Sequence, residues 1–149
     1  MLRLALAVFA LAAFARADGF TFVIGSPVAA QGPALKSAAF ALRADGCADP
    51  AKLQVSGTAE GLVNGLRRSV ALRIMPASRP GVYAVFQTWP PEGRWVANLK
   101  GTCGSASAGA IVPIGPQGFI RESSKFFSRP ATDAEIEASL KTLTEGGNK

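Results

Sequence analysis

The sequence contains no histidine. That excludes Ser-His-Asp and Cys-His nucleophile systems, His-ligated zinc and an imidazole pH switch. Cysteine is scarce: the two present, Cys47 and Cys103, cannot form a cysteine-only zinc site or hold an iron–sulfur cluster. Charged side chains make up only 17% of the chain against 48% hydrophobic, which excludes a disordered polymer. Asp-rich loops are missing, so a calcium site would have to be improvised from Asp45 and Asp49 beside Cys47, short of the six to eight oxygens a hard cation takes. No apolar run reaches the roughly 20 residues that span a bilayer. With 149 residues, the chain suffices for one compact domain.

The N-terminus reads as an address. Met1, Leu2 and Arg3 form a short positive region, Leu4 to Phe14 is wholly apolar, and Ala15-Arg16-Ala17 fits a small-x-small cleavage rule. In order and length this is a secretory signal peptide, residues 1–17, with cleavage after Ala17. Val28-Ala29-Ala30 offers a second small-residue site. Removing 17 of 149 residues leaves 132, with 14 basic and 10 acidic side chains and a net charge of +4. The expected location is secreted or periplasmic, with no transmembrane anchor after cleavage. The longest basic run is Arg67-Arg68, so nucleic acid is not an expected partner. The mild positive charge suits a solvated surface, or anionic envelope polymers and lipid head groups. An even cysteine count in an oxidising compartment predicts a Cys47–Cys103 disulfide. A redox pair and a metal-binding thiol pair remain as alternatives.

Residues 18–35 read as a leader, in which Phe20 to Ile24 is either an edge strand or part of a loose N-terminus. Period-two alternation then takes over. Ala38, Phe40, Leu42 and Ala44 alternate with Ala39, Ala41 and Arg43. Leu53, Val55, Gly57 and Ala59 form an apolar face opposite Gln54, Ser56, Thr58 and Glu60. Asn64-Gly65 is a strong hairpin signal, because both turn positions need positive φ. The returning strand places Leu66, Val70, Leu72 and Ile74 inward. Val82 to Trp89 is apolar on both faces, and Trp95, Ala97 and Leu99 open the next strand. A last strand lies near Ala110 to Ile114, where Pro113 marks an edge or an early end. Short strands between Gly/Pro turns predict an all-β antiparallel sandwich of about six to seven strands over 36–114. The extension 115–149 is irregular at first, with anchors Phe119, Ile120, Phe126 and Phe127. Thr132-Asp133-Ala134-Glu135 fits a capping box, and Ile136, Leu140 and Leu143 make one helical stripe. A short C-terminal helix is thus expected over 132–143, docked on its own sandwich or in a partner's groove.

One segment resembles a known pattern. Gly81-Val82-Tyr83, then Trp89-Pro90-Pro91-Glu92-Gly93-Arg94-Trp95, is similar to a hairpin of small bacterial envelope immunoglobulin-like sandwiches, the YtkA-like and FixH-like families. The resemblance covers 36–114 and implies an immunoglobulin-like fold with Trp95 in the core. Related CopC-like sandwiches bind copper through His and Met, but here His is absent and Met1 leaves with the signal, so only Met75 remains.

These readings give the expected function: an exported, non-catalytic immunoglobulin-like binding or structural module of the bacterial cell envelope, with an envelope protein or polymer as partner. One alternative is a small-ligand carrier or an accessory protein of envelope metal or oxidase assembly. Another is an enzyme built on carboxylates or on a Ser–Lys dyad of Ser69, Ser123 or Ser124 with Lys125. No catalytic residue, cofactor or metal ligand is singled out. Tyr83, Trp89 and Arg94 form the candidate binding surface, an aromatic–arginine composition common to interaction hot spots and packed hairpin ends. Trp95, Phe86 and Leu72 are expected in the core.

Overall fold

A computed structural model describes residues 19–27 and 36–146. The expected signal peptide, 1–17, and the second small-residue site lie outside them. The described residues fold as two antiparallel sheets with one helix. The strands are β1 (Thr21–Gly25), β2 (Phe40–Asp45), β3 (Gln54–Val63), β4 (Leu66–Ala71), β5 (Arg73–Pro76), β6 (Val82–Phe86), β7 (Arg94–Cys103), β8 (Ala106–Gly115), β9 (Gly118–Phe119) and β10 (Lys125–Phe127). The helix is α1 (Asp133–Gly146). One sheet runs β1-β2-β6-β5 and the other β10-β8-β7-β3-β4, with β9 beside β8. Taking β1, β2, β3 as A, B, C, this is an A-B-E-D sheet facing a G-F-C-C′ sheet, the strand order of an immunoglobulin-like Greek-key sandwich.

Alternation fills the interior. Phe20, Phe22, Ile24, Phe40, Leu42 and Val85 from the first sheet meet Ala97, Leu99, Ala108, Ala110 and Val112 from the second. Ala59, Trp89 and Trp95 form a second cluster, bordered by Val63, Val70 and Leu72. The β3–β4 hairpin turns at Asn64 (φ 52°) and Gly65 (φ 76°), the left-handed pair a type I′ turn requires.

Several expectations change. Ten strands are present among the described residues, more than the six or seven expected. Phe20 to Ile24 is an edge strand whose Phe22 and Ile24 face the core, so the sandwich begins well before residue 36. The strand expected from Leu66 to Ile74 divides at Leu72: β4 pairs with β3, and β5 pairs with β6 in the opposite sheet. Leu72 is half-buried and touches both interior clusters, while Leu66, beside the turn, is 63% exposed. β6 and β7 lie in different sheets, so Gly81 to Trp95 is a crossover and not a hairpin. Pro113 sits inside a ten-residue strand. Its carbonyl accepts from Ile120 N–H, so its nitrogen faces the same side, at the step between β10, which pairs up to Ile111, and β9, which pairs from Ile114. No ladder donor is needed there. The segment expected to be irregular supplies β9 and β10.

Helix α1 covers the outer face of the second sheet. Ile136 and Leu140 bury against Val96 and Ile111, with Leu62, Phe127 and Leu143 around them. A helix of this length is marginal alone, and burying the two side chains contributes roughly 1.5–3 kcal/mol each. Its start is the expected capping box: Glu135 N–H donates to Thr132 Oγ1 (3.2 Å), and Thr132 N–H donates to Glu135 Oε1 (3.0 Å). Arg67 on β4 ties the helix down through Asp133 (3.1 Å).

Arg129 donates to Glu135 Oε1 (2.7 Å). That bond, followed by the Thr132 N–H, holds the Glu135 carboxyl at about 2 instead of its ordinary 4.5. A folded value below the unfolded one means stabilisation that is present above pH 4.5 and is lost as pH falls toward 2. The pair is exposed, so salt screens it. Thermal melts by circular dichroism between pH 5 and 2 will show a larger fall for the native chain than for Glu135→Gln. Parallel curves would contradict this assignment.

Candidate functional site

The expected binding surface does not assemble. Trp89 is 6% exposed and packs in the cluster with Ala59 and Trp95, because the chain crosses between sheets there and carries its indole inside. Tyr83 is half-buried on the inner side of β6, and its hydroxyl donates to the Leu53 carbonyl (3.1 Å). Arg94 opens β7 on the outer face and donates to the Leu143 carbonyl of α1, a favourable contact for a cation near a helix C-terminus. The three residues brace the crossover, the core and the helix separately.

The expected core residues divide. Trp95 is 3% exposed, and its indole N–H donates to the Glu92 carbonyl (2.8 Å). Phe86 is buried, but with Ala41 and Ala84 on the outer side of the four-stranded sheet, where the Arg73 guanidinium lies 4.6 Å from its ring centroid. A strand apolar on both faces does not reveal in sequence which face is inside.

Cys47 and Cys103 are bonded, with Cα atoms 5.9 Å apart, a normal disulfide separation. Cys47 follows β2 of one sheet and Cys103 ends β7 of the other, so the bridge staples the sandwich across its layers. Asp49 accepts from Ala51 N–H through its side chain (3.2 Å) and caps the turn Pro50–Lys52. Ser69 donates to Glu60 (3.0 Å), and Ser124 donates to the Ile120 carbonyl (2.9 Å). Two of the three hydroxyls named for a Ser–Lys dyad, those of Ser69 and Ser124, are therefore engaged elsewhere.

A different site emerges. At the outer edge of the four-stranded sheet, Arg43, Arg79 and Arg121 surround a cleft of about 230 Å³, floored by Val23, Ala41 and Val82. Arg43 lies on the outer face of β2, between Val23 and Val82 in the ladders. Arg79 belongs to the turn before β6, held by Val82 N–H donating to its carbonyl (3.2 Å) and by Ala44 N–H donating to Gly81 O (3.2 Å). Arg121 begins the turn Arg121–Ser123, fixed where Ser124 N–H donates to its carbonyl (3.1 Å). The guanidinium of Arg121 lies over Gly25, where a Cβ would stand 3.5 Å from Nη2. Among the described residues these three guanidiniums form no ion pair; the ion pairs there use Arg67 and Arg129. Sequence reasoning missed this site. The arginines stand isolated at positions 43, 79 and 121, with no local run to flag them, and only the tertiary packing of strand, turn and 3-10 turn gathers them.

No protein-family model matches the chain, and neither the curated proteins nor the solved structures contain a detectable relative.

Proposed function

We propose that the chain is an exported, non-catalytic immunoglobulin-like module of the bacterial cell envelope that binds a protein or polymer there. The observation that carries the reading is the disulfide joining the two sheets, since such bonds persist in oxidising compartments and are rare in the cytosol. The signal-like leader, the crossover resembling YtkA-like and FixH-like sandwiches, and a cationic cleft whose arginines form no ion pair among the described residues support it. Arginines with no ion-pair partner among the described residues leave their donors to an external anion, which suits a binding module.

Strand β1 supports cleavage after Ala17 over cleavage at the second small-residue site. Phe20, Phe22 and Ile24 are each 3% exposed or less. A cut after Ala30 would remove all three from the core, each worth roughly 1.5–3 kcal/mol of burial. Fractionation of expressing cells, with N-terminal sequencing, is expected to place the protein outside the cytoplasm and starting at Asp18. A product retained in the cytoplasm, or one starting at Gln31, would overturn the reading.

A further inference from the structure

We propose that the cleft between Arg43, Arg79 and Arg121 is a binding site for a phosphoryl anion. Three observations carry it. First, the three arginines come from separate parts of the chain, a strand, a β-turn and a 3-10 turn, yet line one cleft. Gathering three like charges is unfavourable unless something anionic offsets it. Second, none of the three has an ion-pair partner among the described residues. The nearest acids in sequence, Asp45 and Glu122, do not line this cleft; Glu122 lines a neighbouring depression that shares Ser26 and Arg121 with it. Third, Gly25 leaves room for the Arg121 side chain to lie across the end of β1.

The number and type of donors select the ligand class. A guanidinium presents a planar fork that matches phosphate or carboxylate oxygens in pairs. One carboxylate has two oxygens and satisfies one fork. A phosphoryl or diphosphoryl group offers enough oxygens for three. The apolar floor of Val23, Ala41 and Val82 has room for an uncharged group attached to that phosphate. The source is either a free phosphate ester or a lipid head group, and the chemistry of recognition is the same.

This inference goes beyond the export reading and is tested apart from it, on purified protein. Isothermal titration with inorganic pyrophosphate at low salt is expected to show one saturable site. Arg43→Gln, Arg79→Gln and Arg121→Gln should each weaken it about tenfold, the loss of one charge-assisted contact. Arg68→Gln, on exposed β4 of the other sheet, is the control and should leave affinity unchanged. All four positions are solvent-exposed, and unchanged melting temperatures will verify that the variants fold. Flotation with phosphatidylglycerol and phosphatidylcholine vesicles distinguishes the source. Arginine-dependent flotation with phosphatidylglycerol assigns a lipid-borne phosphate; pyrophosphate binding without flotation assigns a free phosphate ester. Both support the site. No saturable binding, equal weakening by Arg68→Gln, or equally tight binding of acetate would overturn it.

Discussion

Reduction of the Cys47–Cys103 bridge, or replacement of both cysteines by alanine, is expected to lower the unfolding free energy by about 4 kcal/mol. The bridge closes a segment of 56 residues, and a loop of that length loses much conformational freedom in the unfolded chain. The loop contains β3, β4, β5, β6 and β7, parts of both sheets, so the constraint bears on the long-range pairing that a Greek-key sandwich needs. For a domain of this size the melting temperature should fall by roughly 15 °C. Calorimetry with and without reductant measures it. A shift below about 3 °C would show that the bridge does not constrain the unfolded chain.

Trp95→Ala is expected to cost about 3–5 kcal/mol. The indole sits opposite Gly61 in the β3–β7 ladder. A Cβ at Gly61 would lie 2.4 Å from the Trp95 ring, so the glycine and the tryptophan are one packing unit: the missing side chain is the space the ring fills. Gly61→Val should destabilise comparably by forcing the ring out. Trp89→Ala should behave as a core truncation too, since Trp89 packs in the same cluster. Urea unfolding of the three variants provides the check. A Trp89→Ala chain of unchanged midpoint would return that residue to the surface.

The local signals in this sequence were legible because local physics produced them. The alternation of Phe40 and Leu42 with Ala41 and Arg43, the turn at Asn64-Gly65 and the Thr132–Glu135 cap each rest on backbone or hydrogen-bond rules a few residues long. The helix ran three residues beyond its expected end at 143, to Gly146. Features set by distant partners were not legible. Leu72 continues the alternation without a break, so nothing local announces that β5 leaves for the opposite sheet. Phe86 and Val85 are equally apolar, and only the facing sheet decides which one is inside. Trp89 and Arg94 share a composition with surface hot spots, but the crossover buries the first and α1 engages the second. The arginine cleft is the extreme case: Arg43 and Arg79 meet through the pairing of β2 with β6, and Arg121 reaches them from a turn after β9 of the other sheet, across Gly25 at the end of β1.

The central claim, an exported sandwich stapled across its sheets, is tested most directly by intact mass of the protein recovered from cells in the presence of an alkylating agent. The predicted species starts at Asp18 and carries no alkyl group until it is reduced, when it takes up two. A species that retains Met1, or one alkylated at Cys47 and Cys103 before reduction, would contradict the account.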